Sequence, residues 1–469
     1  MIMHKHFYFR LFQHLLLIVL FIPSCLYATS LPNMPFDAEV EGKLFTMQGS
    51  NTVGARMAPN WAKVWLEQKG VTHVQVQSLA AQNEYRVVGR NVAQPVYIDI
   101  YAHGSSTGFK GLQQSTADIA LSSRDIKAQE VRSLQSRGDM RSFSSENVVA
   151  IDGLAIIVNS RNSINSLSVS EISQIFSGEI TNWLEVSGVD RPISVYARDD
   201  QSGTWDTFKN LVLAKKYTLS TNAQRFESND ALSAAVTADL GGIGFVGLAS
   251  VRNAKALAVG DQKTTPLKPE PLYVATEDYP LSRRLYMYIP EQTENSYVRE
   301  FMSFVHSQPG QNIVENIGFI SQNPIKLRVK EQNGPDEYQQ LSRHAERLSI
   351  NFRFKPGDSK LDNKAQQDIL RVGTFLRTHN TANLKIQLVG FSDSKASDQR
   401  AEVLSRLRAS AVKIALFRMG ISSESVLGYG SEMLVANDGG NNGTKNDRVE
   451  VWLYANSSKR GDQAVVNSN

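Results

Sequence analysis

Residues 193–215 read ISVYARDDQSGTWDTFKNLVLAK. Ile193–Arg198 has the pattern of a short strand that ends in a cation. Asp199-Asp200-Gln201-Ser202-Gly203-Thr204 forms a loop, and Trp205–Lys215 reads as a helix. A helix N-terminus presents unpaired N–H groups and a partial positive charge, glycine lets a ligand approach the backbone, and Ser/Thr hydroxyls add donors. Such a loop is a seat for an oxyanion, and Arg198 can offer two oxygens a planar fork. The same design occurs twice upstream. Lys43–Gln48 leads into Gly49-Ser50-Asn51-Thr52 and then a helix with Met57, Trp61, Val64 and Trp65 on one face. Val96, Ile98 and Ile100 alternate with polar or aromatic residues and lead into Gly104-Ser105-Ser106-Thr107-Gly108. One such loop is ordinarily just a helix cap. Three in a single α/β unit point to an anion site. None has the GxxxxGK[ST] form of a nucleotide P-loop.

The chain has 469 residues, which at roughly 150 per domain suggests about three compact units. Its 50 Lys+Arg against 46 Asp+Glu are too balanced for nucleic-acid binding by bulk charge. The single cysteine, Cys25, excludes an intramolecular disulfide, a cysteine zinc site and an iron–sulfur cluster. Lys5 and Arg10, the apolar run Leu15–Ile22, Pro23 and the small residues Ala28 and Ser30 have the layout of a secretory signal peptide, expected over 1–28. The run is too short for a membrane span, which takes about 20 residues. Cleavage after Ala28 or Ser30 removes Cys25. The alternative is lipidation at Cys25, since Ile22-Pro23-Ser24-Cys25 resembles a lipobox. Either way the chain is expected in the periplasm.

Strand-like and helix-like stretches alternate over a first domain at 40–325. A polar stretch with Gly334-Pro335 at 326–347 is expected to be a linker. A smaller βαβαβ unit follows at 348–455, and 456–469 is expected to be a disordered tail.

The first domain resembles the phosphate-type periplasmic substrate-binding proteins of ABC transporters, from about Lys43 to Gln322. The resemblance is carried by GSNTVG (49–54), HGSSTGFKGL with ADIALSSRDI (103–126), LAIIVNSRNSINSLSVSEISQIFSGEITNW (154–183), ARDDQSGTWDTF (197–208) and GGIGFVG (241–247). It implies a two-lobed type II binding-protein fold, α/β in class, that closes on its ligand. It further implies phosphate or a related oxyanion as ligand and a transporter permease as partner. The implied contacts are Ser50, Asn51 and Thr52 in the first loop, Ser105 in the second, and Arg198, held by Asp200, with Ser202, Gly203 and Thr204 in the third. Ser123 stands where many members carry a proton-accepting aspartate, and Arg124 beside it offers a second positive contact.

The second unit resembles the C-terminal domain of the outer-membrane protein A family, through GFSDS (390–394), LSRLRASAV (404–412), GYGSE (428–432) and NDRVEVWL (446–453). The resemblance implies an OmpA-like α/β sandwich that binds peptidoglycan. Asp393 and Arg408 would clamp the amine and carboxylate of a diaminopimelate side chain, with Arg448 matching the last arginine of the NRRVE motif. On residue pattern alone, Arg408 lies at the edge of a buried helix stripe and needs a partner, and Asp393, just past a strand end, is its natural partner or co-ligand. Three positions depart from the family pattern: Ala396, Ala401 and Asp447, the last in place of the first NRRVE arginine.

The expected function is therefore an exported oxyanion-binding protein held to the cell wall, without cofactor or metal. The alternative is a structural or adhesive envelope protein whose first domain no longer binds an anion. An enzyme is disfavoured: four of the eight histidines (His4, His6, His14, His344) lie before residue 30 or in the expected linker, and no nucleophile–His–Asp spacing stands out.

Overall fold

The computed structural model describes residues 34–455 except 201, 215, 261–263, 330–333, 356–357, 380–383, 394–396 and 437–444. The expected signal peptide with Cys25, and the expected tail, lie outside the described residues.

The first domain contains β1 (Gly42–Gly49), β2 (Thr72–Ser78), β3 (Glu84–Asn91), β4 (Gln94–Tyr101), β5 (Ile119–Ser122), β6 (Glu146–Val158), β7 (Ser166–Ser168), β8 (Ser194–Arg198), β9 (Gln224–Phe226), β10 (Gly242–Gly247), β11 (Lys255–Ala256), β12 (Ala258–Gly260) and β13 (Ser282–Tyr288). The main sheet runs β2-β3-β4-β1-β5-β13-β6-β10-β8-β9, with β11 also on β6, while β7 pairs with β12. The first lobe ends at β13 and the second begins at β6. β6 pairs antiparallel with β13 over Glu146–Gly153 and with β10 over Leu154–Val158, so one strand serves both lobes. This explains its sequence. A strand covered on both faces reads as a continuous apolar run rather than an alternating one, and Val148–Val158 is buried throughout.

Each lobe has an aromatic core. In the first, Phe45, Trp61, Trp65 and Phe301 pack between β1 and helices Met57–Gln68 and Ser296–His306. Trp61 Nε1 donates to the Gly310 carbonyl at 2.7 Å, which satisfies the indole inside that core. In the second, Phe176, Phe208 and Phe245 cluster, with the Phe208 and Phe245 rings stacked 4.0 Å apart. Residues 79–95 lie in the β2–β3–β4 meander at the sheet edge.

The second domain contains β14 (Lys326–Leu327), β15 (Glu346–Arg353), β16 (Leu384–Phe391), β17 (Val426–Gly428) and β18 (Arg448–Ala455), in the order β14-β15-β18-β16-β17. Helices Asn363–Thr378 and Asp398–Phe417 cover one face. The βαβαβ pattern is present, and β14 and β17 extend it. The expected linker is corrected: β14 pairs with β15, and Asp336–His344 is a helix that buries Tyr338 against Phe391 and Trp452. Its charged face hid one aromatic anchor, and that anchor decides its packing. No helix among the described residues is long and apolar enough to cross a membrane.

Candidate functional site

The three Gly/Ser/Thr loops converge at the junction of the lobes. After β1 the chain turns into a short helix, Asn51–Gly54. Gly49 at the turn has φ +138°, and a β-carbon there would lie 2.0 Å from the Leu121 carbonyl oxygen, so only glycine fits beside β5. Ser105 opens helix Ser105–Gln114, and Ser123 follows β5. The Ser123 N–H donates to Ser105 Oγ at 3.1 Å, and the two hydroxyls are 3.4 Å apart. From the second lobe, Ser202 caps helix Gly203–Phe208 by accepting from the Thr204 and Trp205 N–H groups. This helix continues only as a wider turn to Leu213, shorter than the expected run to Lys215. A β-carbon at Gly203 would lie 2.6 Å from Thr52 Oγ1, 3.4 Å from Ser123 Oγ and 3.8 Å from Ser50 Oγ. The hydroxyls of one lobe thus face the helix N-terminus of the other.

Ser50, Ser105, Ser123, Ser202 and Thr204 are all buried. Among the described residues, the buried Ser50 Oγ and Asn51 Oδ1 have no hydrogen-bond partner. Native structures rarely leave such atoms unsatisfied, so these two atoms are consistent with a polar ligand.

Arg198 ends β8. Its Nε donates to the Phe226 carbonyl at 3.1 Å and its Nη2 to the Glu227 carbonyl at 2.5 Å, with Asp199 at 3.9 Å. Burial lowers its pKa; Asp199 and Glu227 oppose the shift, and Arg283 adds to it. The guanidinium is thus desolvated without a close carboxylate clamp, a state that favours an incoming anion. Two expectations are corrected. Asp200 does not hold Arg198 but pairs with Arg225 at 2.7 Å on the surface. Arg124 is not a free positive contact: it lines a cavity beside Ser123 but is paired with Glu130 (2.7 and 2.9 Å) and Ser106 Oγ (2.9 Å), over the Phe109 ring.

The sequence reading missed Arg283. On β13 it sits directly opposite Asp152 of β6. Nε and Nη2 donate to Asp152 Oδ2 at 3.0 and 2.7 Å, and the side chains are only 6% and 3% exposed. The same guanidinium donates to the Gly203 carbonyl at 2.6 Å, to Thr207 Oγ1, and to Thr52 Oγ1 at 3.4 Å. It therefore ties the crossover strands to the anion loops of both lobes. Its one sequence signal was a charge inside each of two apolar runs. At the cleft's outer edge, Gln82 of the β2–β3 turn reaches Glu227 of the second lobe at 2.6 Å.

The second domain lies against this hinge. Asp278 accepts from Arg347 Nη2 (2.8 Å), Arg353 Nη2 (3.1 Å) and Asn351 Nδ2 (2.8 Å), all on β15. Arg284 bridges Glu277 and Asp362, and Arg371 donates to His306 Nδ1 at 3.1 Å. A cavity of about 800 Å³ remains between the domains, with Ser123, Thr207 and Arg283 on one side and Arg353, Lys355 and Asn363 on the other.

At the predicted wall-binding site, Asp393 follows β16 and Arg408 lies on helix Asp398–Phe417, buried. The expected Asp393–Arg408 pairing is corrected. Arg408 is held by Asp447, with Nη1–Oδ1 at 2.5 Å and Nη2–Oδ2 at 2.9 Å. Arg448 is also corrected: it is fully interior, donating to Glu450 Oε1 (3.1 Å) and the Met433 carbonyl (3.1 Å) over the Phe391 ring. Residues i and i+2 share a strand face, so Glu450 was its local partner from the start. No group of three or more His, Cys, Asp or Glu among the described residues could hold a metal ion.

Residues 69–309, just over half of the chain, match the PBP superfamily domain, and residues 353–448 match the OmpA family. Protein SphX of Synechococcus elongatus is 32% identical over 255 residues, covering 52% of this chain and 73% of that protein. The phosphate-binding protein PstS of Borreliella burgdorferi is 28% identical over 225 residues, covering 47% of this chain and 77% of its own length. The crystal structure of an ABC-type phosphate transport receptor from Vibrio cholerae aligns with a TM-score of 0.47 at 25% identity, covering 59% of this chain and 99% of that one. The family model over residues 69–309 shows that the chain belongs to the PBP superfamily, in keeping with its two lobes and shared crossover strand, with an OmpA-family domain at its C-terminal side.

Proposed function

We propose that the first domain captures inorganic phosphate, or a closely related oxyanion, between its lobes, and that the second domain holds the protein to peptidoglycan. The observation that carries the first part is the meeting of Ser50, Thr52, Ser105, Ser123 and the Ser202–Thr204 helix start around an unsatisfied buried hydroxyl, with Arg198 desolvated nearby. Many N–H and O–H donors repay an anion's lost water. Relatives named as phosphate-binding proteins support the ligand, and Ser123, which can donate or accept, would take the place of a proton-accepting carboxylate. The export signal read at 1–28 supports a periplasmic location and delivery to a transporter permease.

Calorimetry with phosphate, sulfate and arsenate tests the reading. We expect phosphate binding that weakens by about tenfold to a hundredfold in Arg198→Ala, the range of one or two charge-assisted hydrogen bonds. No heat with any of the three anions would remove it. The wall-binding part predicts that the protein sediments with purified peptidoglycan and that Asp393→Ala abolishes this. Unchanged sedimentation of that variant would leave Asp393 as a turn residue.

A further inference from the structure

Helix Asp398–Phe417 is apolar on two opposite sides. Ala401, Ser405, Arg408, Ala409, Val412 and Leu416 are its buried side. At about 100° per residue, Val403, Leu407, Ile414 and Phe417 fall together on the other side, within an arc of about 80° and along about 21 Å of helix. They are 58%, 54%, 53% and 68% exposed. Single exposed apolar residues are ordinary, but a continuous row marks a contact surface. The row stays exposed with the second domain docked on the first.

The borders of the row are basic. By the same spacing, Arg400 and Arg418 lie along one border, and Arg406 and Lys413 along the other. Arg400 and Arg418 are exposed and make no ion pair among the described residues. Lys413 donates to a neutral acceptor, the Glu424 carbonyl, at 2.8 Å. From Asp398 to Arg418 the acids are Asp398, in the first turn, and Glu402, which pairs with Arg406 at 2.9 Å on the surface.

These borders decide between occupants. A two-fold pairing of the row with itself would centre on Ser410 and set Val403 opposite Phe417. It would also bring Arg400 of each copy beside Arg418 of the other, and Arg406 beside Lys413, so like charges would meet along both borders. An anionic lipid surface has the opposite complementarity. Its acyl boundary takes the apolar row, and its headgroups take the arginines, whose long stems let the charge reach outward. We propose that this face of the second domain docks in the plane of an anionic lipid bilayer, resting on the surface without crossing it.

The test is co-sedimentation of the full chain with vesicles of equal parts phosphatidylglycerol and phosphatidylcholine, and with phosphatidylcholine alone. Binding to the anionic vesicles should be about tenfold stronger or more, and should fall as salt rises. Leu407→Asp/Phe417→Asp should weaken it about tenfold. Arg400→Glu/Arg418→Glu should erase the preference for anionic lipid. All four positions are exposed and lie outside both binding sites, so melting curves and phosphate calorimetry should not change. Absent binding to the anionic vesicles, or equal binding to both kinds, overturns the proposal. So does unchanged binding in Leu407→Asp/Phe417→Asp, which would put the lipid contact elsewhere in the chain. A dimer in sedimentation equilibrium that this variant dissolves, with no vesicle binding, would give the face to a second copy and also overturn it.

Discussion

Asp152→Ala should cost about 3–5 kcal/mol of stability and remove anion binding together. The figure is that of breaking a buried ion pair by deleting one partner. Asp152 is the carboxylate that faces Arg283 across the two crossover strands, and both side chains are nearly inaccessible. Without it, the guanidinium keeps its contacts with the Gly203 carbonyl and Thr207 but carries an uncompensated charge inside the hinge. The same residue positions Gly203 and Thr52, so the anion loops should lose their register as well. Urea unfolding followed by tryptophan fluorescence reads the first effect, and phosphate calorimetry on the folded fraction reads the second. The double variant Asp152→Leu/Arg283→Met should be more stable than Asp152→Ala, because removing both charges leaves no buried charge unpaired. A loss below about 1 kcal/mol in Asp152→Ala, the range of exposed pairs, would show that the pair does not pin the hinge.

The second large effect is expected at the domain junction. Asp278 gathers Arg347, Arg353 and Asn351 of the second domain, and Arg448 lies 3.8 Å away. Asp278→Ala should leave Glu277 and Glu450 as the carboxylates that balance these arginines, besides their neutral contacts with Asn351, Thr276 and Met433. The expected result is undocking of the second domain, seen as a larger radius of gyration in small-angle scattering and as new protease cutting between the domains. An unchanged radius with Asp278→Ala would mean that the apolar and remaining polar contacts suffice.

Acid should mimic this variant, and the sign can be worked out. His306 is buried beside Arg371, which pushes its pKa down to about 3. The unfolded chain takes up a proton near 6.5 that the folded chain refuses, so stability falls as pH drops from about 6.5 toward 3. Asp278 and Glu277 are held below the usual carboxylate range by the arginines around them, despite burial. Their contribution is full above about 4.5 and is lost as pH falls through their lower folded values. Lys445, pushed down to about 8 by burial at the same junction, adds a shift of the same sign: its cost shrinks as pH rises from about 8 to 10.5. From pH 7 to pH 4 docking should therefore weaken through His306, and below about pH 4.5 through the two carboxylates as well. A radius of gyration that stays constant from pH 7 to pH 4 would contradict this.

The contrast between these two regions and the anion loops shows where sequence reading succeeds. Each loop was legible because its strand, its glycine and its capping hydroxyl are consecutive, and the pattern that builds a helix start is local. The buried helix stripe that carries Arg408 in the second domain was legible for the same reason. Arg408 was legible as a charge that needs a partner, but not as to which partner. The family resemblance implied Asp200 for Arg198, and the residue pattern offered Asp393, just past a strand end, for Arg408. The structure instead assigns Asp200 to Arg225, and Arg408 to Asp447, 39 residues further along the chain.

By itself the sequence determined the class of fold, the two resemblances, and the three loops that can seat an oxyanion. Periodicity and capping act over a few residues, so they are written in the chain. Tertiary structure alone decided that Asp152 and Arg283, 131 residues apart, share a register. It also decided that a helix lies where a linker was expected, and that Asp447 pairs with Arg408. The reason is physical. A buried charge is stable only with a partner at hydrogen-bond distance, and that distance is set by how strands pair and helices pack.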